Sequence, residues 1–370
     1  MVAVILMNDF KAEPFELREA MLDAARRVLE SGWFVLGSEV IAFEKKWAEL
    51  CGVAHGVGVG NGMDAIEIAL RGLDIGPGDE VITTPMTAFA TVLAIMRAGA
   101  TPVLADIDME TALLSLASVE RCLSPKTKAI VLVHLYGQVR DMTAWVDFSR
   151  TKGIYLIEDC AQAHLATWQG KMAGSFGLAG AYSFYPTKNL GAPGDAGMLV
   201  TNSSVLAKRA ESLRNYGQSE RYHHPELGLN SRLDELQAAM LGVRLKWLPR
   251  FTERRRQIAE AYRAGIVNPL VQHLAAPEEP SSHVYHLYVV TCLQRDGLQA
   301  HLRRKGVQTL IHYPVPVHKQ KPCKALRCDP QGLRNSEQHA LQCLSLPCHP
   351  QMSDVDIHQV ISAVNSFRGD

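Results

Sequence analysis

Residues 55–107 read HGVGVGNGMDAIEIALRGLDIGPGDEVITTPMTAFATVLAIMRAGATPVLADI, and this stretch decides the fold class. Two stretches with helical periodicity, MDAIEIALRGL and FATVLAIMRAG, separate short apolar runs of strand length. The alternation continues downstream, with further apolar runs at residues 128–137, 154–163, 179–186 and 196–201. Continuous apolar strands that alternate with helices predict an α/β fold, in which helices cover both faces of a mostly parallel central sheet.

Three more helices are predicted around this core. Residues 14–30 place apolar side chains at helical spacing and begin with a proline, which suits a first helical turn. Residues 230–248 have the pattern of a long helix, with Ser231 and Asp234 forming a start like a capping box. A basic stretch at residues 250–265 follows, and we interpret its arginines as a solvated helix face.

The pattern changes in the last third of the chain. A strand pattern at residues 283–290 is followed by a helix pattern at 296–306, which Gly306 ends, and then by a second strand pattern at 307–314. We therefore predict a large domain of residues 1–248, which includes the N-terminal helix, and a smaller α+β domain of residues 249–370.

The charge balance narrows the class of function. The chain has 370 residues, with 38 Lys and Arg against 38 Asp and Glu, so its formal net charge is zero. A neutral chain argues against a broad nucleic-acid or membrane surface. The apolar start at residues 2–6 is too short for a secretory signal, and no apolar run approaches the roughly 18 residues that span a bilayer. We expect a cytoplasmic protein.

The cysteines raise the question of a metal site. Two pairs have a spacing that resembles a loose zinc ribbon, with two histidines nearby: Cys323, Cys328, Cys343 and Cys348, with His339 and His349. Against zinc, Cys343 falls where the last turn of a helix is predicted. Free thiols are the favoured interpretation, and we predict no metal.

The glycine-rich run at residues 56–62 opens the first helix of the core. It suggests a dinucleotide-binding loop, but the G-x-G-x-x-G test fails, because Asn61 or Met63 stands where the third glycine is required. The backbone N–H groups of Gly62 and Met63 would still lie at a helix N-terminus, where they can bind a phosphate. A tight turn, in which the glycines only relieve crowding, is the alternative.

One lysine stands out in the run SFYPTKNLGAPGDAG, residues 183–197. Lys188 follows an apolar strand and lies among small and neutral residues, in a turn that cannot be regular helix. An exposed lysine usually has charged neighbours, so the choice is between a surface cation and a nucleophile.

Other side chains supply what a pyridoxal phosphate (PLP) site needs. Asp159 ends an apolar strand, where ligands bind in parallel sheets, and Gln162 follows three residues later. Phe89 follows another strand end, and Ser183 precedes Lys188. PLP requires an amine for its aldehyde, a carboxylate for its pyridine nitrogen, a flat side chain against its ring and donors for its phosphate.

At this point the chain resembles the DegT/DnrJ/EryC1/StrS sugar aminotransferases, which are fold type I PLP enzymes. The resemblance covers nearly the whole chain. It is carried by six ordered motifs: GWFVLGSEVIAFEKKWAELCGV, GVGNGMDAIEIALRGLDIGPGDEVITTPMTAFAT, IEDCAQAH, YSFYPTKNLGAPGDAG, NSRLDELQAAML and HYPVPVHKQ. It implies a fold type I architecture with a smaller C-terminal domain, and a homodimer with shared active sites.

The resemblance also implies a role for each matching residue. Lys188 would form the Schiff base with PLP and then act as the acid–base catalyst. The other expected contacts are Asp159 at the pyridine nitrogen, Gln162 near the ring hydroxyl, Phe89 stacked on the ring, the Gly62 and Met63 amides and the Ser183 hydroxyl at the phosphate, and Asn230 at the phosphate of the partner subunit. Met63 and Ala88 depart from the family's usual Thr or Ser, and neither departure removes the chemistry.

Substrate contacts are implied less specifically. His312, Tyr313 and His318 lie in a proline-stiffened loop, IHYPVPVHKQ, which by resemblance faces the active site. A purely structural role for these histidines is the alternative. Tyr216 and Arg232 are further candidates.

The implied reaction moves an amino group from L-glutamate to a nucleotide-linked keto sugar, with pyridoxamine phosphate (PMP) formed between the two halves. The form KNLG…GD resembles members that aminate carbon 3, and within them enzymes acting on dTDP-3-oxo-6-deoxyhexoses. The product would be a dTDP-3-amino-3,6-dideoxyhexose for deoxysugar or glycan biosynthesis. UDP-3-oxo sugars and 4-keto sugars are the competing acceptors.

Three other classes are weighed against this prediction. A PMP-dependent sugar dehydratase of this fold has histidine in place of the lysine, and Lys188 is present. A non-enzymatic regulator is expected to lose Lys188, Asp159 or Gln162, and the chain has all three. A nucleotide-binding dehydrogenase is disfavoured by the failed glycine fingerprint.

Overall fold

A computed structural model describes residues 4–369. Its helices are α1 (Phe15–Ser31), α2 (Ser38–Cys51), α3 (Gly62–Gly72), α4 (Phe89–Arg97), α5 (Leu116–Cys122), α6 (Met142–Lys152), α7 (Ser204–Leu213), α8 (Glu235–Arg244), α9 (Leu248–Gly265), α10 (Arg295–Arg304), α11 (Arg334–Gln342) and α12 (Asp354–Asn365). Its strands are β1 (His55–Val59), β2 (Glu80–Thr83), β3 (Thr101–Leu104), β4 (Thr127–Val133), β5 (Tyr155–Asp159), β6 (Thr167–Trp168), β7 (Lys171–Met172), β8 (Ala179–Ser183), β9 (Gly197–Thr201), β10 (Gln272–His273), β11 (Tyr288–Thr291), β12 (Arg327–Cys328) and β13 (Cys343–Leu346).

The central sheet has the strand order β1-β9-β8-β5-β4-β2-β3-β12. The five pairings from β8 to β12 are parallel, and β9 is antiparallel to both of its neighbours. Two antiparallel pairings in succession give β1 the same direction as β8. The carboxyl ends of β1, β8, β5 and β4 therefore lie along one edge. The predicted α/β fold with a mostly parallel sheet is confirmed.

Apolar side chains cover both faces of this sheet. Along β9, Met198 and Val200 pack in one apolar cluster and Leu199 in the other, as the two-residue period of a strand requires. The first cluster includes Trp47, whose ring meets those of Tyr182 and Phe184 edge-on at 5.0 and 5.3 Å. The core strands are thus buried on both faces, which is why they appear in the sequence as continuous apolar runs.

A separate apolar cluster belongs to the C-terminal part. Tyr262 of α9 packs there with Tyr288 of β11 and Leu344 of β13, whereas Leu248 at the start of α9 packs with the central sheet. The strand β12, however, returns to pair with β3 of the central sheet. The boundary between residues 248 and 249 stays a prediction.

Two helix predictions are corrected by the structure. The predicted helix over 230–248 begins only at Glu235, and the N-cap residue is Asp234, without a side-chain cap. Ser231 does not cap it, because its hydroxyl is bonded to Gly60 and Asp64 instead. The arginines of α9 do not all form a solvated face: Arg250 is exposed, whereas Arg255 is buried and donates to the carbonyl oxygens of Tyr285, His286 and Cys348.

Two strand predictions are also corrected. The predicted strand over 283–290 is regular only from Tyr288, because Val284 and Leu287 bond to the turn at residues 136–137. The predicted strand over 307–314 forms only single bridges, at Val307 and Leu310. Within residues 4–369, no helix has the length and apolarity needed to cross a bilayer.

Candidate active site

The candidate site lies at the carboxyl edge of the central sheet. Asp159 is the last residue of β5, Ser183 the last of β8, and Gly62 opens α3 just after β1. Gly62 packs so closely on Ser183 that an added Cβ would lie 2.7 Å from the Ser183 Cβ. The topology therefore unites residues that are separated by about a hundred positions.

Lys188 sits in a compact turn between β8 and β9. Its backbone N–H donates to Tyr185 at 2.8 Å, and Gly191 is needed because an added Cβ would lie 2.3 Å from the Pro186 carbonyl oxygen. Burial lowers the pKa of the Lys188 ammonium from 10.5 to about 8, and the nearby Asp159 carboxylate limits that fall. An amine with a lowered pKa beside a carboxylate is suited to nucleophilic and proton-transfer chemistry.

Asp159 is buried and oriented by neighbours. Its Oδ2 accepts a hydrogen bond from Thr91 Oγ1 at 2.8 Å, and its Oδ1 accepts one from the Ala161 N–H at 3.1 Å. The Thr91 hydroxyl is in turn 2.8 Å from that of Thr87. These bonds fix the orientation of the carboxylate at the carboxyl edge of the sheet.

Gln162 connects the sheet edge to the C-terminal part. Its Oε1 accepts from the Tyr136 N–H at 2.6 Å, and its Nε2 donates to the Tyr313 hydroxyl at 3.3 Å. Burial raises the pKa of Tyr313 to about 12, with the Asp159 charge as the second cause. Burial also lowers the pKa of His312 to about 4, with Lys188 as the second cause. Tyr313 and His312 thus stand beside the predicted catalytic residues.

The start of α3 is suited to binding a phosphate. Asn61 caps the helix by accepting from the Asp64 N–H at 2.9 Å, which leaves the N–H groups of Gly62 and Met63 without an acceptor among residues 4–369. Ser231 steadies the loop, with its Oγ accepting from Gly60 at 3.0 Å and donating to Asp64 at 2.7 Å. Free amides at a helix N-terminus attract an anion.

The remaining predicted residues are more dispersed. Phe89 is half-buried and opens α4, two residues before Thr91. His318 bonds to Glu337 at 2.9 Å, and among residues 4–369 no contact joins it to Lys188 or Asp159. Tyr216 and Arg232 contact each other, with the guanidinium 5.2 Å from the ring centroid. Asn230, in the segment that joins them, is exposed.

Several residues of the site were not predicted from the sequence. Thr91, Tyr136 and Ser231 contact Asp159, Gln162 and the α3 loop respectively. Thr91 and Ser231 lie within two positions of predicted site residues, so inspecting neighbours would have found them. Tyr136 acts through its backbone N–H, for which the sequence carries no signal.

One group of possible metal ligands occurs among residues 4–369. His134, Glu158 and Cys160 place one ligand atom each within 4.8 Å of one another. Glu158 already accepts from three backbone N–H groups at 2.8 Å, those of Gly174, Phe176 and Gly177, and its Oε2 lies 2.8 Å from His134 Nε2. Its role is therefore structural. The two cysteine pairs of the zinc alternative do not gather into a ligand set, and all eight thiols are free.

The residues at the sheet edge fit PLP. The amine of Lys188, the carboxylate of Asp159 and the orphan amides of Gly62 and Met63 match the aldehyde, the pyridine nitrogen and the phosphate. The fold and this set of residues define a PLP-dependent transferase.

The comparisons with known proteins identify the family. A model of the DegT/DnrJ/EryC1/StrS aminotransferase family matches residues 16–365, so the chain belongs to that family. It is 45% identical over 352 residues to the dTDP-3-amino-3,6-dideoxy-alpha-D-galactopyranose transaminase of Aneurinibacillus thermoaerophilus, covering 95% of each chain. It is 42% identical over 360 residues to the dTDP-3-amino-3,4,6-trideoxy-alpha-D-glucose transaminase of Streptomyces venezuelae, covering 97% of this chain and 95% of the relative.

Solved structures agree with this assignment. DesV of S. venezuelae superposes with a TM-score of 0.95 and 41% identity, covering 98% of both chains. The ntda protein of Bacillus subtilis, solved with bound PMP, superposes with a TM-score of 0.90 and 28% identity, covering 98% of this chain and 85% of that one. The predicted class, a PLP-dependent sugar aminotransferase of this family, is confirmed.

Proposed function

We propose that the protein transfers the amino group of L-glutamate to carbon 3 of a dTDP-3-oxo-6-deoxyhexose, giving a dTDP-3-amino-3,6-dideoxyhexose and 2-oxoglutarate. The observation that carries the proposal is that the Lys188 amine lies within electrostatic reach of Asp159, beside the free amides of α3, in a chain this similar to two dTDP-3-amino-sugar transaminases. We further propose that the reaction takes place in the cytoplasm.

The positions of Asp159 and Lys188 give each of them a separate role in the proposed reaction. When bound, PLP supplies a ring that accepts the electrons released as a bond at the amine-bearing carbon breaks. Asp159 would hold a proton on the pyridine nitrogen, which would keep the ring electron-accepting. Lys188 Nζ would hold the cofactor and would accept and donate the proton at the amine-bearing carbon of the substrate. Its lowered pKa of about 8 leaves part of it as the neutral base near neutral pH.

The substrate-binding roles of His312 and Tyr313 are supported by their closeness to Lys188 and to Gln162. Tyr216 and Arg232 stay proposals as substrate contacts, and Asn230 stays a proposal as a residue that reaches the phosphate from the partner subunit. For His318 the structure offers less support, because its imidazole is bonded to Glu337.

A homodimer is proposed on an observation of its own. Five large apolar side chains between residues 29 and 41 are 39% to 64% exposed: Leu29, Trp33, Phe34, Val35 and Ile41. We call this set the 29–41 apolar surface. Large exposed apolar side chains concentrated in one short stretch of the chain favour an interaction site. We propose that a second copy of the chain covers this surface, because Asn230 would then reach the phosphate-binding site of the partner subunit.

The test follows the absorbance of the PMP-loaded protein as keto sugars are added. A dTDP-4-oxo-6-deoxyhexose is supplied alone or together with a 3,4-ketoisomerase. We expect the spectrum of bound PLP to return only with the isomerase present. If the PLP spectrum returns with the 4-oxo sugar alone, the protein aminates carbon 4. If the spectrum does not change under either condition, the result indicates a UDP-linked acceptor.

The matched control is Lys188→Ala. This variant should lose turnover by several orders of magnitude, because the nucleophile and the proton carrier are the same atom. Borohydride should fix the cofactor to the wild-type chain at Lys188 and should not fix it to the variant. Full activity of Lys188→Ala would refute the assignment.

A further inference from the structure

The N-terminal segment runs across the candidate site and is held at both ends. Ile5 exchanges two backbone hydrogen bonds of 2.9 Å with residues 306–308. Glu13 pairs with Arg244 through two bonds of 2.7 and 3.0 Å. Because the segment is anchored at Ile5 and at Glu13, the position of Asn8 between them is restricted.

Asn8 and Thr187 line two small cavities beside the Lys188 turn. One, of about 20 Å³, is also lined by Lys188, and the other, of about 80 Å³, by His286 and His312. The Asn8 amide and the Thr187 hydroxyl have no hydrogen-bond partner among residues 4–369. Both side chains are therefore available to a ligand next to the predicted nucleophile.

The larger cavity is lined only by neutral groups. Its other lining residues are Met7, Leu287, Leu310, Leu346 and Cys348. Burial lowers the pKa of His312 to about 4 and that of His286 well below its usual value, and it raises that of Cys348 to about 12. Arg255 lines the smaller cavity and not the larger one, and its guanidinium donates to backbone carbonyl groups.

The two imidazoles are oriented by their Nδ1 atoms. His286 Nδ1 lies 3.2 Å from Asn189 Oδ1, and His312 Nδ1 lies 2.8 Å from Ser345 Oγ. Together with an amide and a hydroxyl, these rings can donate to and accept from sugar hydroxyls. A carboxylate placed there would lose its hydration, and no cationic side chain of residues 4–369 lines the cavity to pair with it.

We propose that Asn8, Thr187, His286 and His312 form a neutral subsite for one uncharged, hydroxyl-bearing edge of the keto sugar, and that this subsite excludes hexuronate acceptors. The inference rests on the proposed function and adds to it the chemical class of the hexose. About 80 Å³ holds one edge of a hexose and not a nucleotide, so the dTDP group lies outside.

The first test compares Asn8→Ala with Lys11→Ala, whose side chain is exposed on the same segment. We expect Asn8→Ala to raise the KM for the keto sugar by about tenfold, as for the loss of a hydrogen bond to substrate. The half-reaction with L-glutamate and the thermal midpoint should not change. Lys11→Ala should behave as wild type throughout. An unchanged KM for Asn8→Ala would overturn the subsite.

The second test concerns selectivity. For the wild-type enzyme, kcat/KM with a UDP-3-oxo-hexuronate should be at least a hundredfold below kcat/KM with the neutral acceptor. Leu310→Arg adds a cation to the cavity wall, so the difference between the two acceptors should be smaller in this variant. Equal use of both acceptors by the wild type would overturn the exclusion. If no keto sugar reacts, the proposed function fails. Titration calorimetry with a dTDP-hexose then still tests the subsite. Weaker binding of the dTDP-hexose by Asn8→Ala than by the wild type supports the subsite, and equal binding refutes it.

Discussion

At the residue scale, two neighbouring carboxylates at the end of β5 have different roles. Glu158 and Asp159 point to opposite faces of the sheet, because side chains alternate along a strand. Glu158 is fully buried and accepts from backbone N–H groups, so it fixes the loop at residues 174–177. Asp159 lies within electrostatic reach of Lys188 and is the carboxylate that we propose for the cofactor nitrogen. The strand period, and not the residue type, assigns the two roles.

The lowered pKa of Lys188 leads to a prediction on the cofactor-free protein. The amine should react with trinitrobenzenesulfonate with a rate that rises through pH 8, because burial disfavours its charged form. An ordinary lysine would titrate near 10.4. In Asp159→Asn the midpoint should fall below that of the wild type, since the carboxylate raises this pKa. The measurement is the extent of Lys188 modification against pH, by mass spectrometry.

The exposed Asp147 provides the control for that experiment. Asp147→Asn should leave the midpoint where it is in the wild type. A wild-type midpoint above pH 10 would mean that Lys188 is a solvated surface cation. A midpoint that rises in Asp159→Asn would contradict the sign of the interaction.

At the scale of elements, a side chain at the start of α8 caps the N-terminus of α2. Glu235, the first residue of α8, is 2% exposed. Its carboxylate accepts from the N–H groups of Gly37 at 2.8 Å, Glu39 at 3.0 Å and Val40 at 2.9 Å. It therefore caps α2 from another helix, in place of the missing local cap at Gly37.

Removal of this carboxylate should be costly. Glu235→Ala should lower the free energy of unfolding by about 3 kcal/mol, because one buried and two partly buried N–H groups lose a charged acceptor. Glu30→Ala, at an exposed position of α1, should change it by less than about 0.5 kcal/mol. Urea unfolding followed by circular dichroism gives both values. A loss below about 1 kcal/mol for Glu235→Ala would show that water replaces the cap.

At the scale of the whole molecule, the 29–41 apolar surface predicts an assembly. Phe34→Glu should convert a dimer into a monomer, because burying a carboxylate in an apolar contact is unfavourable. The monomer should also bind PLP more weakly, since Asn230 of the partner subunit would no longer reach the phosphate-binding site. Sedimentation velocity and a PLP titration measure the two effects.

Val205→Glu serves as the matched control, because Val205 is 76% exposed on α7. It should leave both the assembly and the cofactor affinity unchanged. A wild-type protein that sediments as a monomer, or a monomeric Phe34→Glu with unchanged PLP affinity, would refute the shared site.

The sequence by itself determined the local elements and the chemistry of the site. Periodicity located the strands and helices of the core, because burial on both faces leaves continuous apolar runs. The residues around Lys188, Asp159 and Gly62 indicated PLP, because an amine, a strand-end carboxylate and a helix start each have a local signature.

Only the tertiary structure decided which distant residues meet. It turned Ser231 from a predicted cap into a support for the α3 loop, drew Arg255 from a predicted solvated face onto buried carbonyl groups, and brought Asn8 beside Lys188. Each of these contacts depends on strand order and direction, or on chain segments far apart in sequence. Periodicity reports how each element is buried, and it carries no information about which element supplies the partner.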